Sequence, residues 1–225
     1  WDFIYSFASI VISLSLGLML GNVALGLPLS EQHDFIGDWL SFFNPFSIMV
    51  AITTLALFML HGAIYLAMKT ENRLYTKMTL LAKSFTVFFV VALGLTTLYT
   101  LLYIPHLSDR IRSSSQYFIL PVIMFLAIAN IPRQLNKGKY FNAFISSAVT
   151  IASLLAMVAI EVFPYLLYAT NDARNSITVE NAASSLKTMK TLLLIAAIGA
   201  PLVAMYTGCV FWAFKGKVEL DESSY

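Results

Sequence analysis

The stretch PFSIMVAITTLALFMLHGAIYLAM, residues 45–68, decides the fold class. It is 24 residues long and carries no Asp, Glu, Lys or Arg. A helix rises about 1.5 Å per residue and the hydrocarbon core of a bilayer is about 30 Å thick, so about 20 apolar residues span it. Five further runs have the same character, near residues 3–26, 78–104, 116–132, 141–168 and 186–214. The runs are long and continuously apolar, whereas a membrane barrel alternates over segments of about ten residues. The expected fold is all-α: a polytopic membrane bundle of six helices forming one domain over residues 1–225.

Composition agrees. Hydrophobic residues make up 59% of the chain and charged residues 12%, with a mean hydropathy of +0.77. Soluble domains carry about 25% charged residues. The net charge of +2 gives no reason to expect a nucleic-acid partner. The single cysteine, Cys209, excludes an intrachain disulfide and reads as packing within an apolar run.

The connections alternate in charge. Residues 69–77 hold Lys69, Glu71, Arg73 and Lys77, residues 133–140 hold Arg133, Lys137 and Lys139, and the tail holds Lys215 and Lys217. With Lys83 these are nine cations on the face shared by both chain ends. The other face has Arg110, Arg112, Arg174, Lys187 and Lys190, and its first loop, 27–44, has no cation. The positive-inside rule therefore puts both ends in the cytoplasm.

Few polar groups fall within the spans, where ionisable side chains are costly and usually face the bundle interior. His61 lies about 12 Å from the inner end of the second span. It is a candidate haem ligand, proton relay or quinone contact; the commoner role is a hydrogen bond to a neighbouring helix. A bis-histidine haem needs a second imidazole at membrane depth, and His33 and His106 both fall in outer loops. Glu161 lies about 10 Å from the outer end of the fifth span, a candidate proton relay or buried polar contact. Pro164 is placed to kink that span. Asn130 reads as a cap near an inner end. Gly17 and Gly21 form a G-x-x-x-G pair, which lets two helix backbones approach and is more often ordinary packing than a dimer signal. No phosphate-binding glycine loop, G-x-S-x-G or H-E-x-x-H is present, and no metal or catalytic residues are assigned.

The residue strings add a resemblance. Trp1-Asp2 leads into Gly21-Asn22-Val23-Ala24-Leu25-Gly26-Leu27-Pro28. Asn44-Pro45-Phe46, His61-Gly62-Ala63-Ile64-Tyr65-Leu66 and Lys69-Thr70-Glu71 follow in order, and Phe214-Lys215-Gly216-Lys217-Val218 precedes the end at Tyr225. Together these resemble subunit II of the cytochrome bd-type quinol oxidases, most clearly over residues 1–71.

The resemblance implies a longer subunit, whose first helix, glycine- and aspartate-rich segment and tryptophan-rich region have no counterpart here. It implies a heterodimer with a haem-bearing subunit I that supplies the haem ligands and the quinol-oxidising loop, with a small single-helix subunit, lipid and quinone as further partners. The implied complex lies in a bacterial or archaeal cytoplasmic membrane, oxidises quinol and reduces oxygen to water at haem b and haem d. This chain would then be a scaffold and proton-access subunit. Two other readings compete: a secondary transporter or channel subunit, and a membrane enzyme using His61 and Glu161 as an acid–base pair.

Overall fold

A computed structural model describes residues 1–104, 107, 115–214 and 216. Among the described residues, six helices are long and apolar enough to cross a membrane: α1 (Asp2–Leu25), α2 (Pro45–Lys69), α3 (Asn72–Tyr103), α4 (Ile119–Asn136), α5 (Tyr140–Val162) and α6 (Leu186–Ala213). The fourth extends to Gln116–Asn136 when the preceding single 3₁₀ turn, Ser115–Phe118, is counted.

Local chemistry sets the ends. Asn44 caps α2, its side chain accepting from Ser47 N at 2.9 Å, and Pro45 follows at the first helical position. Gly26 ends α1 at φ +89, where an added Cβ would lie 2.7 Å from the Tyr168 carbonyl oxygen. That position requires glycine. Gly138, at φ +67, turns the chain between α4 and α5. The fifth helix stops at Val162 and not near 168, because Pro164 disfavours helical backbone in the residue before it. Pro164 therefore follows the helix and does not kink it. Conversely, Pro132 lies inside α4, which continues to Asn136 beyond the expected end at 132.

α2 is the hub: it packs against α1, α3 and α5, while α4 packs on α5 and touches α3. Phe89, Leu60, Ile64 and Ile131 fill the centre, and Ala56, Ala63, Ala82 and Ala143 keep the backbones close. In lipid, helix association relies on such close packing and on interhelical hydrogen bonds. The G-x-x-x-G pair shows why. A Cβ on Gly17 would sit 2.6 Å from Ala51 Cα, and one on Gly21 2.6 Å from Ser47 Cα. The glycine pair thus seats α1 on α2 within this chain.

The two ends of the bundle differ. At one end the α2–α3 and α4–α5 turns meet, with the Tyr75 and Tyr140 hydroxyls 2.9 Å apart. The Lys69 ammonium donates there to the carbonyl oxygens of Phe214 and Gly216, at 3.1 and 3.2 Å. These are the cation-bearing segments, and we call this the basic end. At the opposite end, a short antiparallel pair, β1 (Tyr165–Leu167) and β2 (Ile177–Thr178), joins the loop after α1 to form a cap. Asn171 donates to Leu29 O at 2.8 Å and accepts from Leu29 N at 2.9 Å, and Leu27 bridges to Ala169.

Candidate functional site

Polar residues concentrate where α2, α4 and α5 face one another. His61 is half-buried, and its Nδ1 lies 2.7 Å from Ser147 Oγ. Ser147 donates its one hydroxyl proton to the Phe144 carbonyl at 2.8 Å, so its oxygen accepts from His61 Nδ1–H. Phe144 stacks on the imidazole at 4.5 Å between ring centroids. Nearer the basic end, Asn130 Nδ2 donates to Ser146 Oγ at 2.9 Å and Asn130 Oδ1 accepts from Gln134 Nε2 at 2.9 Å. Asn130 is therefore a cross-helix link, not a cap. Thr79 and Tyr140, with hydroxyls 3.2 Å apart, form a further polar contact at the turns.

Glu161 lies elsewhere. It sits on the last turn of α5, not well inside a span as expected, because that helix is shorter than expected. It lines a crevice of about 140 Å³ with Ala24, Phe46, Leu107, Leu154 and Met157. His61 touches Ser147, and 14 residues separate Ser147 from Glu161, about 21 Å of helix. An acid–base pair between them is excluded.

Sequence reasoning missed the tightest polar knot. Asn22 is buried at 3% exposure; its Nδ2 donates to Leu18 O and Phe42 O, both at 2.8 Å, and its Oδ1 accepts from Asn44 Nδ2 at 2.9 Å. Both asparagines stand in the quoted strings, but nothing in either string shows that they meet. The cap also holds an exposed ion pair: Arg174 Nη2 lies 2.7 Å from Asp172 Oδ2, and this hydrogen bond holds the Asp172 carboxyl below its ordinary range.

Among the described residues His61 meets no second imidazole. His61 is taken on one face by Phe144 and at Nδ1 by Ser147. His33 lies in the cap, its Nδ1 2.9 Å from Asn175 O. His106 lies outside the described residues. Among the described residues no group of three or more His, Cys, Asp or Glu side chains gathers as a metal site would require.

The geometry defines a class: a multi-pass α-helical membrane protein with a loop cap at one end, a basic rim at the other, and a hydrogen-bonded interior. Comparison with known proteins narrows it. The sequence profile of cytochrome bd terminal oxidase subunit II matches residues 1–214, and the chain belongs to that family. It is 20% identical to the cytochrome bd-I ubiquinol oxidase subunit 2 of Escherichia coli strain K12, an alignment covering 99% of this chain and 66% of that protein. It is 23% identical to the cytochrome bd ubiquinol oxidase subunit 2 of Bacillus subtilis, over 99% of this chain and 65% of that one. The fold is similar to a chain in the structure of bd oxidase from Geobacillus thermodenitrificans, with a TM-score of 0.73 and 20% identity over 94% of this chain and 64% of that chain. The chain thus spans just under two thirds of the length of the relatives it matches. None of these similarities supports the transporter or channel reading.

Proposed function

We propose that this chain forms one helical domain of subunit II of a quinol:oxygen oxidoreductase. In this reading it is a scaffold and proton-access subunit beside a haem-bearing subunit I, in a bacterial or archaeal cytoplasmic membrane. The family match over residues 1–214 carries the reading. Haem b and haem d would be ligated by subunit I, which would also oxidise the quinol; a small single-helix subunit would complete the complex. His61, bonded to Ser147 and stacked on Phe144, acts here as a positioning residue between α2 and α5. The Tyr75–Tyr140 pair at the basic end and, separately, the Gln134–Asn130–Ser146 chain offer hydrogen-bonding groups on that side of the bundle, which supports proton access from there. Glu161, in an apolar crevice at the far end, is a buried polar contact held by its neighbours.

The test is to purify the full-length protein in mild detergent with the chains that accompany it. A reduced-minus-oxidised visible spectrum showing haem, together with quinol-driven oxygen uptake, is the expected result. A haem-free single-chain protein that moves a solute in liposomes would overturn the proposal.

A further inference from the structure

A second groove lies on α4 and α5 and meets the polar residues at Asn130. It has a volume of about 510 Å³ and is lined by Ile123, Leu126, Ala127 and Val149, with Asn130 and Arg133 at one end. Ile123 and Arg133 are ten residues apart, so the groove runs about 15 Å along α4. Its apolar part lies at membrane depth, and its charged part lies three residues before the last residue of α4, at the basic end.

Charge decides what fits. Arg133 makes no ion pair or side-chain hydrogen bond among the described residues. Lys137 and Lys139 stand on the adjoining turn. Between residues 116 and 160 there is no Asp or Glu, so α4, the turn and nearly all of α5 carry three cations with no internal counter-charge. The acidic residues described at this end are Glu71, on the α2–α3 turn, and Asp2, on α1. Neither belongs to a helix that lines the groove.

The geometry points to one occupant, an anionic phospholipid of the leaflet at the basic end. One acyl chain lies along Ile123, Leu126, Ala127 and Val149, and the phosphate rests on the Arg133 guanidinium. Guanidinium presents a planar fork of donors that matches phosphate oxygens, and basic pockets between membrane helices on the cytoplasmic side take anionic head groups. A zwitterionic lipid offers the same chain without the net charge. The site depends on the fold alone and stands whether or not the protein serves an oxidase.

The experiment uses the full-length protein with its accompanying chains, delipidated in detergent and titrated with phosphatidylglycerol or phosphatidylcholine, with bound lipid counted by native mass spectrometry. The wild type should hold one phosphatidylglycerol more tightly than phosphatidylcholine. Arg133→Gln should weaken that binding about five-fold, since a cation near a lipid surface contributes about 1 kcal/mol. Arg133→Lys should restore most of it, and Ala127→Trp, which fills the groove without changing charge, should also lower it. Lys190→Gln, on α6, should leave it unchanged. Equal retention by wild type and Arg133→Gln would overturn the site, as would equal affinity for the two lipids. Displacement of the lipid by inorganic phosphate alone would also overturn it, marking a simple anion site.

Discussion

α2 and α6 are equally apolar and sit in opposite surroundings. Each has a mean hydropathy of 2.0 over its most apolar window, yet 44% of that window is buried in α2 and 0% in α6. Both carry small residues. Gly17 and Gly21 of α1 press against α2, whereas a Cβ on Gly199 or Gly208 of α6 would meet nothing within 4 Å. Hydropathy therefore marks where the chain crosses a bilayer but not which helices pack. Packing comes from small residues that find a complementary groove and from polar side chains that find each other.

The largest expected effect is steric. Gly21→Leu drives a side chain into the Ser47 backbone and should cost about 3 kcal/mol, as severe overpacking does, read as lost folded protein in a detergent unfolding titration. Gly208→Leu on α6 should shift the same curve by less than about 0.5 kcal/mol, as surface substitutions do. Equal damage from both would erase the distinction between the two helices.

Next is the asparagine knot. Asn22→Leu removes two donations, leaves Asn44 Nδ2 only its bond to the Ser41 carbonyl and takes a donor from the Phe42 carbonyl, so a loss of about 1–2 kcal/mol is expected in the same titration. Ser147→Ala should cost less, about 0.6 kcal/mol, the average for one interhelical hydrogen bond in a membrane protein. At the crevice, Glu161→Gln should be milder for assembly than Glu161→Leu, because the amide keeps the side chain's shape and an oxygen that accepts hydrogen bonds. Equal loss of complex in both variants would show that the charge matters.

The smallest effect belongs to the exposed Asp172–Arg174 pair. The guanidinium depresses the Asp172 pKa, so its contribution is present above the unfolded carboxyl range and fades as pH falls through the folded one. Asp172→Asn should leave thermal unfolding at neutral pH unchanged within error, since such surface pairs contribute little.

Much of this was legible in the chain. All six spans follow from continuous apolar runs, and the gathering of Lys69, Arg133 and the Phe214–Gly216 segment at one end follows from loop charge. The errors have local causes. Pro164 ended α5 early and so moved Glu161 to a helix terminus, whereas Pro132 was tolerated inside α4. Of the strand pair, β1 lay inside the apolar run expected as the fifth span and β2 in the polar loop after it. The hydrogen-bonded contacts were out of reach for another reason: His61 and Ser147 are 86 residues apart, and Asn171 and Leu29 are 142. Such pairs leave no periodic trace in a single sequence. Asn130 shows the consequence, since its neighbourhood suggests a cap and only its meeting with Ser146 shows a cross-helix bond.

The central proposal is that this chain is a packed helical part of subunit II of a bd-type oxidase, in which His61 joins helices through Ser147 while the haems are ligated by the partner subunit. The most direct test is the haem content per complex of the full-length His61→Ala protein, purified with its accompanying chains. The account predicts the same haem-to-protein ratio and the same reduced-minus-oxidised spectrum as wild type, with only a modest loss of stability. Loss of a haem band in that variant would contradict it.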